Sequence, residues 1–434
     1  MKNEFFSPLL QENLTSKQKI KFLRKNRILA KNTTYFDWTA SGLGLKVVEK
    51  RIAKLLPFYA NTHSDNSPHS KLMSELYEGS RENLKQIFGL DENYALISCG
   101  FGSSAAIKKF QEIMGIYIPP KAKQHLNIKK DNLPLVIIGP YEHHSNELSF
   151  KEGLCEVKRI PLNLEGLVDI ETLKQTLEAN KGRKIIASFS LCSNVSGILV
   201  PFWEISYWIR KYGGIVCFDM ASTSSYFNIP SSFYDVAFLS PHKLLGGIGS
   251  SGILIIRKEL IDKSLPPTFC GGGVVGYVSR TSQIYHSKEE IREEAGTPGI
   301  LEFLRANLAY RVKEEIGEGL ILEKKSKLAK PLREFLQNES KITLYGNEAH
   351  NALEIFSFNI KNHSPYEIAK FLGEKGILVR AGCACAGPYG HDLLGLEDNA
   401  IFKEKPGWIR ISVHYTHKKE EITHLCDCLK AFLI

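Results

Sequence analysis

Val236-Ala237-Phe238-Leu239-Ser240-Pro241-His242-Lys243-Leu244-Leu245-Gly246-Gly247 decides how the rest of the chain is read. Four apolar residues bounded by Ser and Pro read as a short buried strand. One lysine follows, just before a glycine-rich turn. An amine held at the end of a buried strand is partly desolvated, and a desolvated lysine is nucleophilic toward carbonyl compounds. Taken alone, the stretch is read more simply as a loop with a surface lysine. Partners elsewhere in the chain would reverse that reading.

Working outward, six further runs have the same character: Tyr94–Ser98, Leu135–Ile138, Glu156–Ile160, Lys184–Phe189, Ile215–Phe218 and Gly252–Ile256. Short Val- and Ile-rich strands separated by helical stretches predict an α/β fold with a mostly parallel, seven-stranded sheet covered on both faces. Ligands in such sheets collect beyond the carboxyl ends of the strands. Two helices, Gly44–Leu56 and Ser67–Phe88, precede the sheet. From about residue 315 the pattern changes to charged helices (Lys313–Glu323, Lys325–Asn338) and the strands Ala352–Phe358, Ile377–Arg380 and Trp408–Val413. The expected organisation is a large domain over 46–314 and a smaller α+β domain over 315–434, completed by the N-terminal segment 1–45.

Composition narrows the class of protein. The chain has 434 residues, 43% hydrophobic and 24% charged, as befits a globular enzyme. No apolar run is long enough to span a bilayer, and Met1-Lys2-Asn3-Glu4-Phe5-Phe6 does not read as a secretory signal, so the cytoplasm is the expected location and no membrane is expected as a partner. The nine cysteines are scattered and odd in number, which suits a reducing compartment rather than a disulfide framework. Cys426 and Cys428 fall two apart in the predicted helix Glu420–Leu433, pointing to different sides, so no metal site is expected. The net charge of +9 is partly local. Lys17, Lys19, Lys21, Arg24, Lys25 and Arg27 interleave with Ile20, Leu23 and Ile28 as on an amphipathic helix. Lys121, Lys123, Lys129 and Lys130 crowd an insertion, 119–132, that reads as a loop. No recognition motif accompanies either cluster, so nucleic acid is not an expected partner.

The predicted strand ends carry the chemistry. After the first strand, Ser98-Cys99-Gly100-Phe101-Gly102-Ser103-Ser104 opens a helix, and such a turn offers amides and hydroxyls to a phosphate. Pro140-Tyr141-Glu142-His143-His144-Ser145-Asn146 follows the second, placing a histidine that can stack on a planar ligand or act as an acid or base. Asp219 ends the Ile215–Phe218 run, and Ala221 lies two residues on. A buried carboxylate needs a partner, and the protonated pyridine nitrogen of pyridoxal phosphate is one. Helix capping is the competing reading for both His143 and Asp219. Leu191-Cys192-Ser193-Asn194-Val195-Ser196-Gly197 supplies an amide, Glu293-Glu294-Ala295-Gly296-Thr297-Pro298-Gly299 a hydroxyl in a tight turn. Arg410 lies within an apolar strand, where it calls for a carboxylate.

In this order the motifs resemble the class V aminotransferase family of fold-type I pyridoxal-phosphate enzymes, in particular its cysteine desulfurase and selenocysteine lyase branch. The resemblance runs from Tyr35 to about Thr416. It rests on Tyr35-Phe36-Asp37 with Ala40-Ser41, Glu142-His143-His144-Ser145-Asn146, Ser193-Asn194-Val195-Ser196-Gly197, Asp219-Met220-Ala221, Ser240-Pro241-His242-Lys243, Glu294-Ala295-Gly296-Thr297-Pro298, and Arg380-Ala381-Gly382-Cys383-Ala384-Cys385-Ala386-Gly387-Pro388.

The resemblance implies that Lys243 holds pyridoxal phosphate as a Schiff base, that Asp219 pairs with the ring nitrogen and that His143 stacks on the ring. Asn194, Ala221 and Ser222 would line the ring; Ser222 stands where members usually carry Gln. Ser103, Ser104, Ser240 and His242 would bind the phosphate, with Thr297 reaching across from the other subunit of a homodimer that shares its active sites. Ala40, His63, Asn194 and Arg410 would contact an amino-acid substrate. Cys385 falls at the persulfide-forming position, in a Gly/Ala-rich loop whose composition suits mobility, with Arg380 near enough to stabilise a thiolate. Cys383 is the other candidate for the sulfur. The expected reaction converts L-cysteine to L-alanine, with sulfur carried on Cys385 and then passed to an acceptor protein. Still open on the sequence alone are a transaminase, lyase or epimerase using Lys243 without cysteine chemistry, and a binding protein that keeps the fold.

Overall fold

The computed structural model describes residues 1–62, 66–126, 133–398, 401–402 and 404–433. The seven predicted strands form as Tyr94–Gly100 (β1), Leu135–Ile138 (β2), Glu156–Arg159 (β3), Ile185–Ser190 (β4), Ile215–Asp219 (β5), Val236–Leu239 (β6) and Gly252–Arg257 (β7). They make one sheet in the order β1-β7-β6-β5-β4-β2-β3. β7 runs antiparallel to both neighbours, and the remaining pairs are parallel.

The burial of each strand follows from this order. Every residue of β2, β4 and β6 is buried, because helices cover both faces. Side chains alternate between two cores: Ile137, Ala187, Phe218 and Leu239 face one, Val136, Ile186, Cys217 and Phe238 the other. β3 lies at an edge, and its Glu156, Lys158 and Arg159 keep that edge charged. The strand order reverses between β4 and β2, which opens a crevice at their carboxyl ends.

A second, antiparallel sheet comprises Ile342–Tyr345 (β8), Ile355–Ile360 (β9), Arg380–Gly382 (β10) and Trp408–Ser412 (β11), in the order β8-β9-β11-β10. Its core draws on the helices Glu318–Asn338, Pro365–Glu374 and Lys419–Leu433. Of the N-terminal segment, Phe36 joins this core, and Thr34–Tyr35 pairs in parallel with Ile377–Leu378. Phe5, Leu9, Leu10, Ile20 and Leu23 pack instead into the large core.

Several local expectations change. The helices expected over Lys313–Glu323 and Lys325–Asn338 are Ile300–Ile316 and Glu318–Asn338. The break falls at Gly317, whose φ of +92° few other residues adopt. Ile300–Ile316 is buried nearly all round, so no amphipathic period marked its start. β8 carries no signal strong enough to be read as a strand, since it is only four residues long and none of them is fully buried. Part of the Lys-rich insertion is a short helix, Pro120–Lys123; residues 127–132, including Lys129 and Lys130, lie outside the described residues.

The basic N-terminal helix spans Ser16–Asn26, capped by Thr15 and Gln18, and buries Ile20 and Leu23, whereas Ile28 lies beyond it and is exposed. Cys426 and Cys428 are both buried in the Lys419–Leu433 helix. Among the described residues no cluster of His, Cys, Asp and Glu is arranged to hold a metal, and no helix is long and apolar enough to cross a membrane.

Candidate active site

The crevice at the strand ends is a cavity of about 460 Å³ with walls from both sheets. From the large sheet it takes Gly102, Ser103, Ser104, His143, Asn194, Asp219, Ala221, Ser222, Ser240, His242 and Lys243. From the small sheet and the loop that follows Arg380–Gly382 it takes Arg380, Cys383, Cys385 and Arg410, and Ala40 also lines it. Thr297 lies elsewhere in the chain, its Oγ1 accepting from Asn61 Nδ2 at 3.1 Å. His63 lies outside the described residues.

Lys243 ends a single turn, Pro241–Lys243, that follows β6. Its backbone N–H donates to Ser240 O at 3.0 Å, which fixes where the side chain leaves the sheet. Burial depresses the amine to a pKa of about 8; Asp219 opposes the shift and Arg410 adds to it. Asp219, at the end of β5, is 5% exposed and receives Ala221 N–H at 2.9 Å. Burial raises its carboxyl pKa, while Ala221 N–H and the Lys243 charge oppose the rise. A carboxylate buried with so few donors is poised for a cationic partner.

His143 both caps and faces the cavity. Its Nδ1 accepts Ser145 N–H at 3.1 Å at the start of the His144–Lys151 helix, so the capping reading and the site reading hold together. Burial, with Lys243 nearby, lowers its pKa to about 4 and keeps the ring neutral. The loop is anchored by Glu142, whose carboxylate accepts from Gly139 N, Ser190 N, Ser190 Oγ and Asn146 Nδ2. Burial lifts Glu142 to a pKa of about 7.

The phosphate turn is built by close approach. Gly102 opens the Gly102–Ile113 helix at φ +57°, and a Cβ there would meet His242 Cε1 at 2.8 Å and Ser240 Oγ at 3.0 Å. Ser240 Oγ receives Ser103 N–H at 2.8 Å, and Ser104 Oγ pairs with Ser145 Oγ at 2.6 Å. Behind the turn, Glu294 accepts from Ser98 N at 2.7 Å and from both terminal nitrogens of the buried Arg81 at 2.8 and 2.9 Å.

Arg410, in β11, is buried and already has its carboxylate. Its Nη2 contacts Asp37 Oδ1 at 3.1 Å, its Nη1 donates to Asn194 O at 3.0 Å, and its Nε has no hydrogen-bond partner among the described residues. The other Asp37 oxygen pairs with Arg380 Nη2 at 2.7 Å. Arg380 is therefore engaged with Asp37 rather than left free for a thiolate. Asp37, Thr39, Ser190, Tyr366 and Lys405 went unassigned on sequence; Asp37 stands in a quoted motif, yet its two arginine partners come from distant β10 and β11.

The Cys385 loop is hydrogen-bonded to the large domain on both sides of its turn. Ala386 N–H donates to Cys383 O at 3.0 Å, and Ala384 and Cys385 have φ of +52° and +57°, a type I′ turn. Asn194 Nδ2 donates to Ala384 O at 2.8 Å, His144 N to Cys385 O at 2.8 Å, and Gly387 N to His144 Nε2 at 2.8 Å. Cys385 is exposed and Cys383 partly so.

A half-buried lysine and a buried aspartate lining one cavity, beside a glycine-serine turn that opens a helix at the mouth of a mostly parallel sheet, define an enzyme of the fold-type I class. The profile described as aminotransferase class-V matches residues 34–425, and the chain belongs to that family. Among curated relatives, the cysteine desulfurase of Shigella sonnei is 32% identical over 68% of this chain and 70% of its own length. A probable cysteine desulfurase of Pyrococcus abyssi is 29% identical over 92% of this chain and 94% of its own. In three dimensions the chain is similar to the apo cysteine desulfurase of Thermococcus onnurineus, with a TM-score of 0.81, 26% identity and coverage of 95% and 98%.

The family implies pyridoxal phosphate, and the residues present fit it. Among the described residues the Asp219 carboxylate is buried in the cavity with Ala221 N–H as its backbone donor, Asn194 Oδ1 is buried with no donor, and Gly102 lets His242 and Ser240 close against the turn that would take the phosphate.

Proposed function

We propose that this enzyme is a cysteine desulfurase that binds pyridoxal phosphate on Lys243 and passes the sulfur of L-cysteine to Cys385. The observation that carries the reading is one cavity holding Lys243 and Asp219 on one wall and the exposed Cys385 on the other. Bound there, the cofactor would supply an electron sink for the carbon skeleton of the substrate. Asp219 would hold a proton on the ring nitrogen, His143 would cover a ring face, and Asn194 Oδ1 would accept from the ring hydroxyl. Ser103, Ser104, Ser240 and His242 would hold the phosphate.

The remaining roles belong to the substrate. Arg410 binds its carboxylate, with Ala40 leaving room beside it. Lys243 Nζ takes the Cα proton of the bound amino acid, a task that its lowered pKa suits near neutrality. The Cys385 thiolate attacks the substrate sulfur: an S–S bond forms, the C–S bond breaks with its electrons left on carbon, and alanine departs after protonation. The persulfide then goes to an acceptor thiol, which the exposure of Cys385 permits. In this reading 46–314 is the cofactor-binding unit, and 315–434 with 1–45 carries the substrate arginine and the sulfur cysteine.

A homodimer completes the site in this reading. Phe101, at the cavity mouth, is 91% exposed, and Tyr277, Val278 and Ile284 are exposed on a hairpin formed by Val275–Val278 and Gln283–Tyr285. A second copy would cover this surface and bring its Thr297 to the phosphate. The cytoplasm, with its reduced thiols, suits all nine cysteines.

The test is incubation of the holoenzyme with L-cysteine. Alanine and sulfide should appear in equal amounts and be lost in Cys385→Ala, while covalent cofactor binding, seen as absorbance near ~420 nm, persists. Alanine release that is absent, or unchanged in the variant, overturns the reading.

A further inference from the structure

Cys383 and Cys385 are the first and third residues of the same tight turn, and both line the cavity. Two successive Cα–Cα steps folded into a turn keep these α carbons within the ~4.4–6.8 Å that a disulfide tolerates. The turn is committed to this shape, because two consecutive non-glycine residues hold positive φ and Asn194 and His144 clamp both of their carbonyls. Among the described residues the cavity is lined by Lys243, Arg380, Lys405 and Arg410, with Asp219 as its carboxylate, and Arg380 and Arg410 also pair with Asp37.

We propose that Cys383 is the resolving thiol of this site, discharging sulfur held on Cys385 by closing a Cys383–Cys385 disulfide. The proposal rests on the desulfurase reading for the source of that sulfur. The Cys383 thiolate attacks Sγ of the Cys385 persulfide; the Cys383–Cys385 bond forms, the bond from Cys385 Sγ to the outer sulfur breaks, and hydrosulfide leaves with the electron pair. No external oxidant enters, since the persulfide already carries the oxidising equivalent. A dithiol reductant then returns both cysteines to thiols with two electrons. A disulfide spanning so few residues is strained and therefore readily reduced, which makes the cycle repeatable. The consequence is a choice at the turn: an acceptor that arrives first takes the sulfur, and otherwise the sulfur leaves as sulfide.

Both cysteines fall in one tryptic peptide, because no Lys or Arg lies between Ala381 and Lys403. Holoenzyme is given one equivalent of L-cysteine without other thiols, quenched in acid with an alkylating agent, and the peptide is weighed. Wild type should yield sulfide in step with alanine and an unalkylated peptide ~2 Da below the reduced mass, and Cys383→Ser a peptide ~32 Da heavier at Cys385 with sulfide lagging alanine. Wild-type peptide that keeps the extra sulfur, with Cys383 alkylated, overturns the proposal. Absence of alanine refutes the desulfurase reading instead. A second arm then decides on Cys383: hydrogen peroxide oxidises Cys385 to a sulfenic acid, and Cys383 should displace water to give the same light peptide. Progression of Cys385 to its sulfinic or sulfonic acid with Cys383 free overturns the proposal in that arm.

Discussion

The lowered pKa of Lys243 has a measurable consequence for cofactor attachment. Only the neutral amine can attack an aldehyde. An exposed lysine at its ordinary 10.5 is about 0.1% neutral at pH 7.5, whereas one at about 8 is roughly one quarter neutral, an advantage of about 200-fold. The assay is recombination of the apoprotein with pyridoxal phosphate, with attached cofactor trapped by borohydride at timed intervals across pH 6–10.5. The attachment rate should rise with pH and level off with a midpoint near 8. Asp219→Asn removes the charge that opposes the shift, so its midpoint should move lower. The folded apoprotein should also gain stability as pH rises from 8 to 10.5, since the unfolded chain binds the extra proton there; the full span is about 3 kcal/mol. A wild-type midpoint near 10, or an upward shift in Asp219→Asn, would refute the argument that burial controls this amine.

Three further outcomes follow from particular contacts. Gly102→Ala places a methyl within 3.0 Å of His242 and Ser240, at a φ of +57°, and should weaken cofactor binding at least about 10-fold in a fluorescence titration while the fold stays intact. Asp37→Ala strands the buried Arg410 and should cost about 3–5 kcal/mol in urea unfolding; Asp37→Asn, which keeps a hydrogen-bond acceptor, should cost less. Burial holds His417 at a pKa of about 4, below its usual 6.5. Stability present above pH 6.5 is therefore lost on acidification toward 4, by about 2 kcal/mol at pH 5 from this group alone, and a urea midpoint unchanged between pH 7 and 5 would contradict it.

The large sheet was legible because every strand buried on both faces must be apolar, and polar residues ending such runs had to be functional or paired. Asp219 and Lys243 stood out for that reason. The Ile300–Ile316 helix was not legible at its start, since a helix buried all round has no polar face to mark its period. The anchoring contacts of the Cys385 loop were illegible for a different reason. Its anchors are backbone carbonyls, met by Asn194 Nδ2 and His144 N–H, and the sequence of a Gly/Ala-rich loop says nothing about which carbonyls find donors. Arg410 was read as wanting a carboxylate, which is correct chemistry, but Asp37 supplies it from within the chain.

That internal pairing bears on how substrate affinity is set. Two arginines share one carboxylate, with Asp37 Oδ1 on Arg410 and Oδ2 on Arg380, so the group keeps one net positive charge for one incoming carboxylate. Among the described residues Arg410 Nε is buried without a partner, a state that costs about 1–3 kcal/mol in an unliganded protein. On the desulfurase reading, a local opening of the packing over Nε would let a substrate carboxylate accept from it and remove that cost without displacing Asp37, since Asn194 O and Asp37 hold the other two nitrogens. Asn194 holds the Ala384 carbonyl through the same residue's amide, so the group that positions the carboxylate site also positions the cysteine turn. Substituting the Asn194 side chain should therefore loosen the cysteine turn and slow sulfur transfer while its backbone carbonyl still holds Arg410, whereas Asp37→Asn should act on substrate affinity more than on sulfur transfer.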